Sequence, residues 1–126
     1  SENDIKASGF LFDFICFTDN CVNFVMPKIF EYFGFVFFFY SNDHEPIHVH
    51  VIRGDRQSVF EIYLDEGKVL YLKQRNVVGC SPLHLKDAKV AESFINVYSL
   101  QIVEKWIDFF VLKKTVSCTE VNKKIQ

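Results

Sequence analysis

The sequence predicts an α+β fold: an antiparallel β-meander with one long helix, in the C-terminal half, packed on one face in two layers. Three observations predict it. Alternating apolar and polar runs follow one another from Ile47 to Arg75, a Gly-Asp pair separates two of them, and an apolar pattern of helical period extends from about Leu85 to Phe110 without Pro or Gly. With 126 residues, 49% of them hydrophobic, the chain can bury one real core and is too short for two domains.

Residues 26–126 are expected to form that single compact domain. Residues 1–25 are an N-terminal extension with two readings. Either they add a strand pair to the sheet, since "FLFDFICF" alternates Phe10, Phe12 and Phe14 and "VNFV" follows a "TDN" turn, or they lie upstream of a natural start at Met26, the only methionine. Eleven of the 15 Phe fall in the first 40 residues, which raises the question of a membrane segment. Asp13, Asp19, Lys28 and Glu31 interrupt the run, so no uncharged apolar stretch reaches the roughly 18–20 residues a spanning helix needs. Buried strands account for it.

Phe35 to Tyr40 is apolar at every position, as in a central strand covered on both faces. It ends at the polar loop "SNDHEP", where Asn42, Asp43 and Pro46 are turn formers. Next, "IHVHVI" alternates, with Ile47, Val49 and Val51 on one face and His48, His50 and Ile52 on the other. After "RGDR" comes "QSVFEIYL", whose Phe60, Ile62 and Leu64 form an apolar face opposite Val59, Glu61 and Tyr63. Gly54-Asp55 is a type II′ turn signal, with Gly54 supplying the positive φ.

That turn sets a register. Arg53 pairs with Arg56, His50 with Val59, His48 with Glu61, Val49 with Phe60 and Ile47 with Ile62. The apolar pairs share a face, which a one-residue slip would undo. A second hairpin through "DEG", with Gly67 at the left-handed position of a three-residue loop, leads into "KVLYLKQR" and brings Leu70 and Leu72 to the core face. "NVVGCSP" is a loop.

The expected helix buries Val90, Phe94, Val97, Tyr98, Val103, Trp106 and Phe110 and turns Lys86, Lys89, Glu92, Asn96, Gln101, Lys105 and Asp108 largely outward. Its start lies either at Ser81-Pro82, with Ser81 as N-cap, or nearer Asp87. "LKKTVSCTEVNKKI" reads as a last strand or an ordered tail. The histidine face is expected to be the open face of the sheet, covered if at all by the N-terminal segment or a second copy.

A formal charge of −2 gives no overall basic field, so any nucleic-acid surface has to be local. Four cysteines without a CxxC motif read as reduced thiols. No secretory pattern opens the chain, which makes the cytoplasm the expected location.

The residues with the most chemistry lie in "DHEPIHVH". His48 and His50, at i and i+2 of a strand, point the same way beside Glu61, with His44 and Asp43 on the adjoining loop. As a metal site, His44, His48, His50 and Asp43 suit zinc or another divalent ion, with Glu61 as a further oxygen ligand. As an acid-base site, His48, His50 and Glu61 supply groups of differing proton affinity for a metal-independent ribonuclease, with Arg53, Arg56 or Lys73 meeting phosphate charge. As neither, the loop residues build a turn and the strand histidines dress the sheet. Arg53, Arg56 and Tyr63 are the candidate binding residues. No Gly-rich phosphate loop or Ser-His-Asp signature points to another reaction.

The stretch "MPKIFEYFGFVFFFYSNDHEPIHVHV" resembles small bacterial proteins of the domain-of-unknown-function 4160 family. The resemblance runs from Met26 to the Trp106 helix and is carried by Asn42, Asp43, His44, Pro46, His48 and His50; Ile47 stands where a second proline is frequent. It implies a compact bacterial cytoplasmic protein of unestablished activity, whose relatives look like members of two-gene units with another small domain, an association that suggests a toxin-antitoxin role. Two expectations follow. The first is an interaction module that binds a protein or RNA partner; the alternative is a small metal-dependent or histidine-based RNA-cleaving hydrolase. An exposed edge strand and the aromatic content also make a homodimer reasonable.

Overall fold

The computed structural model describes residues 14–17, 24–40 and 47–125. Among them seven strands form one sheet. β1 (Phe14–Phe17), β2 (Phe24–Tyr32), β3 (Phe35–Phe38), β4 (His48–Arg53), β5 (Arg56–Asp65) and β6 (Lys68–Asn76) lie in sequence order, each antiparallel to the next. β7 (Thr119–Val121) joins parallel to the end of β2, so the sheet is mixed where a purely antiparallel one was expected. Two helices, α1 (Leu85–Val97) and α2 (Ser99–Trp106), pack on one face, and a π-helical turn over Ile107–Val111 continues them.

The register derived from Gly54-Asp55 is the observed one: Arg53 faces Arg56, His50 faces Val59, His48 faces Glu61 and Val49 faces Phe60. The Ile62 amide donates to the Ile47 carbonyl at 2.8 Å, which extends the ladder by one pair. Positive φ falls on Gly54 (62°) and not on Asp55, as type II′ requires.

The second hairpin differs. Asp65 pairs with Lys68, so the turn has two residues, and both take positive φ (Glu66 52°, Gly67 81°), the type I′ form. A bulge then intervenes, because Leu64 faces Val69 while Tyr63 faces Tyr71. Leu70 is the extra residue and stands 63% exposed instead of joining the core. Val69 and Leu72 pack against the core in its place.

The long helix of the sequence reading is divided at Tyr98, whose backbone (φ −105°, ψ 22°) leaves the helical region. Neither Pro nor Gly causes the bend. Tyr98 is drawn against Phe94 and Phe30, with ring centroids 4.6 and 5.4 Å away. Ala88, Ala91, Phe94 and Ile95 of α1 and Ile102 and Trp106 of α2 carry the buried stripe, with half-buried Tyr98 between them. Val97 lies off that stripe and is 56% exposed, contrary to expectation. The wider π turn lets both Phe109 and Phe110 reach Phe39.

Ser81 does not cap the helix. Its carbonyl accepts from the Gln57 amide at 2.9 Å, and the chain stays extended until Leu83 is buried; the helix then starts at Leu85 with His84 at the N-cap position. Between helices and sheet, Phe94 stacks on Phe37 at 4.5 Å and meets Phe30 edge-on at 5.4 Å, while Trp106 meets Phe39 edge-on. Removing one ring from a core closed this way costs about 3–5 kcal/mol. The tail is fastened by Lys105, which donates to the Ser117 carbonyl (2.6 Å), and by Tyr32, whose hydroxyl accepts from the Ile125 amide (3.1 Å). Among the described residues no helix is long and apolar enough to cross a membrane.

Candidate functional site on the histidine face

Strand alternation places Phe38 and Tyr40, His48 and His50, Gln57, Val59, Glu61 and Tyr63, and then Tyr71, Lys73 and Arg75 on the face away from the helices. This face is not open. His48 is 7% exposed, His50 4%, Val59 2% and Phe38 fully buried. Aromatic rings pack against the histidines: the Tyr40 ring lies flat on His50 at 3.8 Å and 6°, Phe38 stacks on His50 at 5.3 Å, and Trp106 lies 5.7 Å from the His48 ring.

Hydrogen bonds organise the same rings. The Gln57 amide nitrogen donates to Nδ1 of His50 (3.3 Å) and to the Tyr40 hydroxyl (3.2 Å), and its oxygen accepts from the Cys80 thiol (3.6 Å). An amide NH₂ can only donate, so Nδ1 of His50 is the acceptor in this contact. Cys80, which meets Gln57, carries a free thiol.

Glu61 is held from two sides. The Tyr63 hydroxyl donates to Oε1 at 2.7 Å, and Nε of Arg75 reaches Oε2 at 2.5 Å. The Tyr63 hydrogen bond, more than the opposing effect of burial, keeps the Glu61 carboxyl below its ordinary range, with Arg75 and Lys73 adding to the lowering. The same bond raises the Tyr63 phenol, since losing its proton would put two anions in contact.

The structure brings three of the predicted residues together: His48, His50 and Glu61, with Lys73 directly across from Glu61. The His48 and His50 rings are 5.6 Å apart. His44 and Asp43 lie outside the described residues. Among the described residues no three metal-ligating side chains converge. Tyr63 adjoins the cluster through its bond to Glu61.

Arg53 and Arg56 do not adjoin it. Both share the parity of Val49 and Phe60 and therefore project on the opposite face, where no phosphate held at His48 would meet them. Arg56 donates to the Pro82 carbonyl (3.0 Å) and anchors the loop before α1. Arg53 reaches the Phe33 carbonyl and Asp87.

Four residues of the cluster escaped the sequence reading. Gln57 was within reach, because the hairpin count places it opposite Ile52 and hence diagonal to His50. Arg75 was not, because the Leu70 bulge shifts its register. Tyr40 and Cys80 arrive from separate segments that no local pattern connects to β4.

No curated protein and no solved structure matches the chain. The family model for the domain of unknown function DUF4160 matches residues 34–107, from the β2–β3 turn through α2, which is more than half of the chain, and the chain belongs to that family.

Proposed function

We propose that the protein is an interaction module that binds a partner protein along the outer edge of β6, as one member of a toxin-antitoxin-like pair. One observation carries this reading. Among the described residues β6 pairs with β5 alone, and beside that unpaired edge Leu70 (63% exposed) and Tyr71 (52% exposed) stand out of the sheet. An added strand gains main-chain hydrogen bonds from such an edge and specificity from the side chains along it. Lys68, Lys73 and Arg75 on the same strand favour an acidic segment, and together with the bulge they disfavour pairing with a second copy. The histidine face supports the reading indirectly, since Tyr63 and Arg75 already engage Glu61 and Gln57 engages His50.

The test is co-purification of the whole chain with any small protein that a gene adjoining its own encodes. Leu70→Ser with Tyr71→Ala should release the partner while the chain stays folded. Retention of the partner by that variant would refute the edge. A concentration-dependent dimer dissolved by the same substitutions would replace the partner with a second copy.

The alternative is a small metal-dependent or histidine-based RNA-cleaving hydrolase, favoured by the alignment of His48, Glu61 and Lys73 across three strands. It requires RNA cleavage by the wild type that disappears in His48→Ala. For a zinc or other divalent centre it also requires near-stoichiometric metal in untagged protein that is lost from His48→Ala/His50→Ala.

A further inference from the structure

On the far side of the sheet from His48, the β2–β3 turn, the end of β4, the first turns of α1 and the C-terminal tail enclose a cleft of about 470 Å³. Among the described residues four cations line it, Arg53, Lys86, Lys89 and Lys124, against one carboxylate, Asp87. This is a concentrated positive field on a chain whose formal charge is −2.

Arg53 is held in place by four neighbours. It donates to the Phe33 carbonyl (2.6 Å), its Nε stands 3.5 Å from Asp87 and its guanidinium lies 4.5 Å from the Phe35 ring centre. Gly34 supplies the fourth, since a Cβ there would come within 2.8 Å of Nη1. An oriented guanidinium with donors left over is the group that recognises phosphate oxygens in a fixed geometry.

The rim carries an aromatic that the backbone accommodates at a cost. Phe33 takes φ 41°, a left-handed conformation that a bulky side chain rarely adopts, in a two-residue turn that Asn or Gly would fill without strain. Its ring is 44% exposed, with the Lys124 ammonium 4.6 Å from its centre. Such outliers gather where a ligand is met. A cleft of a few hundred Å³ with clustered cations and an exposed ring suits a small molecule that joins phosphate to a flat, π-bearing group.

We propose that this cleft binds a nucleoside phosphate, with the phosphate on Arg53, Lys86 and Lys89 and the base on Phe33, from which Lys124 swings aside to meet the phosphate. The ligand is either a free nucleotide or the phosphorylated end of a single strand, and the site is separate from the β6 edge.

Isothermal titration of the whole chain at low salt with AMP, inorganic phosphate and a 5′-phosphorylated RNA trinucleotide tests this. AMP should bind at least about tenfold more tightly than phosphate, and Phe33→Leu should erase that preference, because stacking on one aromatic is worth roughly a factor of ten. Lys86→Gln/Lys89→Gln, at two exposed positions, should weaken AMP about tenfold or more and flatten its salt dependence, while Lys114→Gln, outside the cleft, should change nothing. Arg53→Lys should weaken it despite keeping the charge. A trinucleotide that binds more tightly than AMP supports the site with a strand end as source, and equal affinity supports it with the free nucleotide. Equal affinity for AMP and phosphate, no saturable AMP binding below about 1 mM, or unchanged binding by the double lysine variant would each overturn the proposal.

Discussion

One strand, β4, serves two regions of opposite character. On one face His48 and His50 sit under aromatic rings, and their ionisable neighbour Glu61 is fully engaged by Tyr63 and Arg75. On the other, at the strand's end, Arg53 points into a cleft where cations outnumber the one carboxylate. The difference lies in what the neighbours do with polar groups. Where they are buried, they must be paired within the fold; where they line a cleft, unneutralised charge is tolerated and available to a ligand.

The sharpest way to break that contrast is to truncate one residue from each region. His50→Ala removes a buried ring beneath Tyr40 and the acceptor for Gln57, and should cost about 2–4 kcal/mol in urea unfolding. Arg53→Ala should cost only about 1 kcal/mol, because its partners remain partly solvated. Equal costs would mean that the cleft is as structural as the histidine face.

Gly34→Ala comes next. It forces an alanine into φ +87° and sets a methyl against Nη1 of Arg53, for about 1–2 kcal/mol. Nucleotide affinity should fall with stability, as seen in thermal melts and titrations of the same preparation. A stability loss without an affinity loss would separate Arg53 from the ligand.

A pH series sharpens the histidine face. The Glu61 carboxyl titrates below its ordinary value in the folded chain, so its contribution to stability is full above about pH 4.3 and is lost as the pH falls through the lower folded value. Glu61→Gln should flatten that acid limb and lower stability at neutral pH, where the ionised carboxylate binds Tyr63 and Arg75. An unchanged acid limb would show that the Tyr63 and Arg75 contacts do not distinguish folded from unfolded chain.

The smallest effect is expected at the cleft rim. Phe33→Asn relieves the left-handed strain and should raise stability by about 0.5 kcal/mol while it weakens AMP. A destabilised Asn variant would mean that the ring, through its edge contact with Tyr32 at 5.0 Å, holds the fold more than it strains it.

Sequence alone determined which residues of β4 and β5 share a face. Two-residue alternation around Gly54-Asp55 specified every pair from Arg53–Arg56 to His48–Glu61, because the turn sets the count and a slip would set apolar residues against polar ones. Helical spacing likewise located the stretch from Leu85 onward and its Phe94 and Trp106 anchors. What tertiary structure decided is what each face meets. Tyr40 and Trp106, from other segments, pack against the histidines of a face that is buried where periodicity left it open, and the Leu70 bulge reassigns Arg75 to Glu61. Arg53 takes its role from α1 and the β2–β3 turn, both distant in sequence. Periodicity is local and reports direction, whereas burial, pairing and the making of a cleft depend on contacts between segments that no short stretch encodes.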